Sequence, residues 1–204
     1  MHPMYQMPQD KGPELYQGDI INRAELIRLG ALRGHQDYMA SRDDFCGFCI
    51  VTQSCDLVYG RTADFITLAV IRQIADVFDA RAKEQSTRDK LCRLINHSED
   101  KLGYFYLHRE PAIGIDEGAV VDLRVMFSLH SALHYDQLLS AKRMSLTDVY
   151  ANKLGWMAGY LFSRVPLREW QELKLAETEG EVATRLLKSI NERGGPKLPH
   201  EKPL

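Results

Sequence analysis

Membrane-spanning segments, secretion signals and dense cysteine are all missing from this chain of 204 residues. No apolar run approaches the ~18 residues that a bilayer-crossing helix needs. The first residues, Met1 to Met7, have neither the cationic start nor the apolar centre of a signal peptide. The chain has only four cysteines, too few for a disulfide-stabilised secreted scaffold. These absences predict a cytoplasmic protein that has free thiols and does not associate with membranes.

An excess of positive charge is also missing. The chain has 26 lysines and arginines against 28 aspartates and glutamates, which gives a formal net charge of −2. Basic and acidic residues are interleaved, with no basic run. Dedicated duplex-binding modules are usually basic overall or carry such a run, so the composition argues against that class. A local basic groove can still be assembled by folding.

Strand and helix patterns divide the chain. Apolar, β-prone runs predict strands over 48–52, 64–71, 102–107 and 119–123. The stretch 74–95 predicts helix in one or two pieces, with Ser86 and Asp89 as a capping box.

The C-terminal part of the chain is predicted to be helical. Helical spacing of apolar residues predicts a long helix over 146–164 that Ser145 caps. A polar helical hairpin is predicted after it, over 167–177 and 180–191.

Strands with a helical insertion, followed by helices, predict an α+β protein. We expect a small β-barrel or a curved antiparallel sheet over residues 14–143. A C-terminal helical extension over 144–192 would pack on it. The proline-containing ends, 1–13 and 193–204, are predicted to be flexible arms.

Five polar or small residues follow the first apolar strand directly: Thr52, Gln53, Ser54, Cys55 and Asp56. Asp56 would serve as acid or base and Cys55 as nucleophile, while the two hydroxyls and the Gln53 amide would bind a phosphate or carbonyl. The alternative is structural, because such side chains also bond the local backbone and close turns. A cysteine nucleophile would need a base that folding brings near; the candidates are His97, His108, His130 and His134.

Cysteine spacing raises a metal site as another alternative. Cys46 and Cys49 form a CxxC pair that Cys55, with Cys92 or His97, would complete as a zinc site. If both members of the pair lie on the strand, alternation would point them to opposite faces, with Cys49 and Cys55 facing the same way. The usual second ligand pair is missing, so we predict ordinary thiols, no metal and no other cofactor.

Two further strand segments carry candidate residues. Arg124 follows the run 119–123 and would stabilise a phosphoryl oxygen, or would simply pair with Asp122 or Asp56. Tyr104, Tyr106 and His108 alternate along another strand and would bind a ligand, the tyrosines by stacking on bases. Half-buried aromatic side chains in an ordinary strand are the alternative.

Two segments together resemble a known family. Gln17-Gly18-Asp19-Ile20-Ile21, followed about thirty residues later by Cys49-Ile50-Val51-Thr52-Gln53-Ser54, looks like the opening of PemK/MazF-like toxins. The resemblance covers residues 14 to 130. It implies a small SH3-like barrel that cleaves RNA without a metal.

The chain also departs from that family. The family carries an arginine–proline pair before its apolar strand, whereas Asp43-Asp44-Phe45-Cys46-Gly47 stands here. Only Thr52 or Thr67 is available for the family's hydroxyl residue, and the helical tail is extra. The resemblance therefore supports the barrel more than it supports an active nuclease.

Three hypotheses follow for function. In the first, the protein is a bacterial PemK/MazF-like endoribonuclease or phosphate-ligand-binding protein. Asp56 would be its base, Arg124 its phosphate stabiliser, and Thr52 or Ser54 a hydrogen-bond donor to the phosphate. In the second, it is a non-catalytic component of a toxin–antitoxin or phage-defence assembly, with a protein partner or a second copy bound. In the third, it is a hydrolase that uses Cys55.

Overall fold

The computed structural model of this chain describes residues 1–32, 42–58, 64–78, 84–98, 103–163 and 179–192. The expected helix over 167–177 and the expected arm over 193–204 lie outside these residues. Seven strands of the described residues form one antiparallel sheet, in the order β1-β7-β2-β3-β4-β6-β5. They are β1 Tyr5–Gln6, β2 Asp19–Asn22, β3 Phe45–Ile50, β4 Phe65–Gln73, β5 Tyr104–Glu110, β6 Ile115–His130 and β7 Lys142–Leu146.

Eight α-helices lie within the same described residues, and none of them is long and apolar enough to cross a membrane. They are α1 Pro8–Lys11, α2 Arg23–Arg28, α3 Ser54–Val58, α4 Ile74–Val77, α5 Glu84–Ile95, α6 Ser131–Ala141, α7 Asp148–Ser163 and α8 Glu179–Glu192.

The sheet is curled into a half-barrel, which confirms the curved antiparallel sheet expected from the sequence. One face holds a core cluster to which all seven strands contribute, and α7 packs into the same cluster through Leu154 and Met157. The two edge strands meet through side chains. The Tyr5 hydroxyl of β1 donates to the His108 carbonyl of β5 at 2.6 Å, and the His2 ring stacks on the His108 ring with centroids 3.8 Å apart.

The other face of the sheet carries two separate apolar clusters. The first packs α2 and α6 on β3, β4 and the distal half of β6. The second packs α4, α5 and α8 on β5 and the proximal half of β6. Val70, which pairs with Asp122, belongs to the first cluster, and Val120, which pairs with Arg72, belongs to the second. Arg72 and Asp122 therefore lie where the two clusters adjoin.

The N-terminal segment is part of the fold, so the expectation of a loose arm over 1–13 was wrong. Met4 is fully buried, and Tyr5 and Gln6 pair with Leu146 and Ser145 of β7. The expected domain boundary at 143/144 is also wrong. It falls inside β7, which pairs with β1 on one side and with β2 on the other. The strand β1 has only two residues, too few for a period-2 pattern to show.

Two expected helix caps were also misplaced. Ser145 lies in β7, where its hydroxyl donates to buried Asp19 at 2.6 Å. The long helix begins at Asp148, and the Thr147 carbonyl accepts from the backbone N–H groups of Tyr150 and Ala151. Ser86 lies inside α5 rather than before it.

Candidate functional site

The turn after β3 uses its hydroxyl groups to hold the backbone. The Ser54 hydroxyl accepts from the Gln17 backbone N–H at 3.0 Å, and the Thr52 hydroxyl accepts from the Thr67 backbone N–H at 2.7 Å. The Gln17 side-chain amide donates to the Val51 carbonyl at 2.7 Å. Thr52 and Ser54 therefore bond backbone groups of other segments, 15 and 37 residues away, and do not make the local turn-closing bonds that were the alternative to catalysis.

The other three residues of this turn are exposed. Cys55 and Asp56 lie in α3, and Gln53 precedes it. The Cys55 sulfur contacts the side-chain carbonyl oxygen of Gln53 and an Asp56 carboxylate oxygen, both at 3.7 Å. The cysteine is thus placed between two acceptor groups.

The four histidines considered as a base for Cys55 have other contacts in the described structure. His97 packs on Phe105 and His108 stacks on His2, while His130 contacts Phe65 and the His134 ring bonds Gln137. Among the described residues, no cysteine–histidine pair of the kind that a thiol hydrolase needs is formed at Cys55. Cys55 is therefore accessible to solvent, but no histidine of the described residues lies beside it as a base.

The Gly18-Asp19 segment has a structural role. Asp19 is fully buried, pairs with the Lys142 ammonium at 3.0 Å and accepts from the Ser145 hydroxyl and the Tyr16 backbone N–H. Burial raises the pKa of this carboxyl, while the Lys142 charge acts in the opposite direction. Gly18 has φ +84°, a conformation that side chains rarely adopt. The motif that carries the family resemblance therefore holds β2 against β7.

Cys46 and Cys49 lie on one face of β3, so the expected alternation was wrong. The register skips Cys46 between Phe45 and Gly47, which makes it the extra residue of a β-bulge, and both sulfurs belong to the same apolar cluster. Burial raises the pKa of Cys46 to about 12 and raises that of Cys49 further. Cys55 does not lie on the same face as Cys49, as the alternation predicted, because Cys55 is exposed on α3. In the described part of the chain, no three His, Cys, Asp or Glu residues form a metal-binding group.

Arg124 is held in a distortion of β6. The pairing jumps from Ala69–Met126 to Val70–Asp122, so residues 123–125 form a bulge. The Arg124 Nε donates to the Asp122 carboxylate at 2.9 Å, and its Nη2 donates to the Tyr104 hydroxyl. The guanidinium also lies over the Tyr104 ring, 4.1 Å from its centroid. Asp122 therefore pairs with Arg124, which was one of the alternatives expected from the sequence. The Arg124 side chain nevertheless remains about half exposed to solvent.

Two more arginines continue this arrangement along the sheet. Arg72 of β4 contacts Asp122 at 3.5 Å and Asp44 at 3.0 Å. Arg42 binds the same Asp44 carboxylate through two nitrogens, at 2.7 and 2.9 Å. We call Arg42, Arg72 and Arg124, with the two carboxylates between them, the arginine row.

The contacts within the arginine row favour the charged forms of Asp44 and Arg124. The hydrogen bond from Arg42, and then the Arg72 charge, lower the pKa of Asp44. The hydrogen bond to Asp122 raises the pKa of Arg124, and burial raises that of Tyr104. The Arg124 guanidinium and the Asp44 carboxylate therefore stay charged at neutral pH.

The expected base-stacking surface is wrong. Tyr104, Tyr106 and His108 are all buried, and both tyrosines belong to the apolar cluster beneath α5 and α8. Helices that the aromatic alternation could not reveal cover that face. The described structure brings Arg124 and Tyr104 together, whereas β4 separates the Arg124 strand from the segment Thr52–Asp56.

Arg72, Asp44 and Arg42 were missed by the sequence interpretation. Arg72 closes an otherwise apolar strand, a signal of the same kind as Arg124. Asp44 and Arg42 lie in a polar stretch without periodicity, and only the pairing of β3 with β4 brings them to Arg72.

Related proteins of known function would allow a test of the roles assigned to Arg124 and to the segment Thr52–Asp56. Comparison with protein-family models, with curated proteins and with solved structures finds no match to this chain. The resemblance to PemK/MazF-like toxins therefore has only the sequence pattern behind it.

Proposed function

We propose that this protein binds a phosphate-bearing ligand, with RNA as the ligand class, and that Arg124 is the principal contact. The observation that carries the proposal is the Arg124 guanidinium, which is fixed by buried Asp122 and Tyr104 yet remains half-exposed. Guanidinium groups match the geometry of phosphate oxygens and donate charge-assisted hydrogen bonds.

Preorganisation favours Arg124 over an ordinary surface arginine. A long side chain loses rotamer freedom when it binds, and that loss weakens affinity. Here the Asp122 carboxylate and the Tyr104 ring already fix the side chain. The guanidinium edge that faces solvent can bind phosphate without that ordering cost.

The contacts favour binding ahead of RNA cleavage. A nuclease of the expected type needs a base beside the phosphate-binding arginine. Asp122 is buried and bonded to two arginines, and Asp56 lies across β4 from Arg124. The proposal therefore keeps the phosphate-ligand binding of the first hypothesis and leaves out RNA cleavage. The four free thiols are consistent with the cytoplasmic location that the sequence predicts.

Fluorescence anisotropy with a labelled hexauridylate tests this proposal. Arg124→Gln should weaken binding about tenfold, as expected for loss of a charge-assisted contact. Arg109→Gln, an exposed arginine on β5 that bonds the Asp116 carbonyl, is the matched control and should bind as the wild type does. Equal binding by Arg124→Gln and the wild type would contradict the proposal. Fragmentation of the RNA in the presence of a chelator, lost in Asp56→Ala, would restore the nuclease hypothesis.

A further inference from the structure

We propose that the whole arginine row binds successive phosphates of one single-stranded RNA, so that Arg42 and Arg72 are further binding residues. This inference rests on the proposed function, because it extends the ligand from Arg124 toward β3.

The connectivity of the row supports a continuous track. Arg124 and Arg72 share the Asp122 carboxylate, and Arg72 and Arg42 share the Asp44 carboxylate. Five charged groups thus alternate in sign from β6, across β4, to the residues before β3. Each carboxylate fixes the spacing of two guanidiniums, so the three cations hold fixed positions relative to one another.

The two ends of the row are its most exposed charges. The side-chain exposures of Arg42 and Arg124 are 43% and 48%, against 19% for Arg72, 20% for Asp44 and 1% for Asp122. The carboxylates therefore lie beneath the terminal guanidiniums, and a ligand in solvent meets the cations first. Within the row, three arginines stand against two aspartates, and the exposed Asp43 beside them carries a further negative charge. The half-exposed guanidiniums of Arg42 and Arg124 are therefore the groups that attract a polyanion.

The alternation favours a phosphodiester chain over a nucleoside diphosphate or triphosphate. Adjacent phosphates of a triphosphate share one bridging oxygen and therefore lie close together. If one phosphate were bound at a guanidinium, the next phosphate would lie near the neighbouring aspartate carboxylate, which repels it. Phosphodiesters are separated by a sugar, so consecutive phosphates can meet consecutive guanidiniums and pass over the aspartate between them.

Arg72 shows an unmet hydrogen-bonding capacity at the centre of the row. Its Nε is buried and has no hydrogen-bond partner in the described part of the chain, although its two terminal nitrogens are bonded. A buried donor without an acceptor is costly and marks a place where a partner is missing. The row therefore has an unsatisfied donor at its centre, for which a phosphate oxygen that reached it would be the missing acceptor.

The salt dependence of RNA binding tests the row. For single strands the slope of log affinity against log salt is about −0.7 for each neutralised phosphate. The probes are labelled uridine monophosphate and labelled hexauridylate, measured with wild type, Arg42→Gln and Arg109→Gln. Arg42→Gln should weaken hexauridylate binding about three- to tenfold and reduce its salt slope by about 0.7. It should leave the binding of the monophosphate unchanged, and thermal melting should confirm that the variant is folded.

The outcomes separate this inference from the proposed function. If the hexauridylate binds no more tightly than the monophosphate, or if Arg42→Gln keeps the wild-type slope, the row is refuted while binding at Arg124 stands. If the wild type binds neither probe, both are refuted. A slope reduced equally by Arg42→Gln and Arg109→Gln would show a diffuse surface effect and would also overturn the row.

Discussion

Asp122 is the residue that holds the arginine row together from beneath. Its carboxylate is buried and accepts from Arg124, while Arg72 lies 3.5 Å away. Asp122→Asn keeps the shape but removes the charge, which leaves two guanidiniums without their shared counter-ion. We expect the free energy of unfolding to fall by about 2–3 kcal/mol, measured by urea denaturation.

A second aspartate provides the matched control for this prediction. Asp148 pairs with Lys11, but its own side chain is exposed. Asp148→Asn should change the stability very little, because the Asp148 carboxylate is exposed and solvent screens its charge. If the two substitutions had equal effects, Asp122 would have no special structural role.

At the scale of elements, α7 approaches the segment before β2 at Gly155. A Cβ placed there would lie 2.6 Å from the Gln17 amide nitrogen, and that amide is held by the Val51 carbonyl. Gly155→Ala should therefore displace Gln17 and lower the free energy of unfolding by about 1–2 kcal/mol, despite the higher helix propensity of alanine.

The same helix supplies a control of opposite sign. A Cβ placed at Gly159 would have no atom of the described residues within 4 Å. Gly159→Ala should raise the stability by about 0.5–1 kcal/mol, because only the backbone entropy and helix propensity change. Thermal or urea unfolding of both variants checks the pair, and stabilisation by both would show that Gln17 moves aside freely.

Elements with a long periodic pattern were predictable from the sequence. The strands expected near β3, β4, β5 and β6 and the long helix α7 are all present. The short strands β1 and β7 were not predictable, since pairing between residues about 140 positions apart leaves no local signal. The bulges that move Cys46 and Arg124 out of simple alternation were hidden for the same reason, because they depend on the partner strand.

The candidate site was predictable only in part. A charged residue after the apolar run 119–123 indicated Arg124. It lies inside β6 rather than at the expected strand end, and it has the pairing with Asp122 that one interpretation of the sequence expected. The polar turn gave the stronger sequence signal, yet Thr52 and Ser54 bond the backbone instead. Composition shows that hydrogen-bonding groups are present, but only the fold decides which of them remain available to a ligand.

For the whole molecule, two buried histidines predict acid sensitivity. Burial lowers the pKa of His97 well below its ordinary value, with the Lys153 charge as a further cause, and lowers that of His108 to about 3. An unfolded chain protonates both near pH 6.5, whereas the folded chain does not, so the unfolded state binds more protons as the pH falls. The stability is therefore complete above about pH 6.5 and should decline toward pH 3, by at most about 1.4 kcal/mol per pH unit for each histidine.

Urea denaturation at pH 7, 6 and 5 measures this effect before most carboxyl groups titrate. Asp19, whose pKa is raised by burial, acts in the opposite direction as the pH falls. His97→Asn should flatten the pH dependence, since asparagine does not titrate and tolerates the positive φ of 52° at this position. An unchanged slope in this variant would mean that His97 is not responsible.

The two-residue strand β1 has a consequence for how the chain assembles at high concentration. It covers the outer edge of β7, and the contact forms only after residues about 140 positions apart have met. Before that docking, β7 presents unpaired backbone groups that a second molecule can pair with, which is a common start of aggregation. Docking of β1 is independent of concentration whereas pairing between two molecules is not, so dilute refolding favours the monomer.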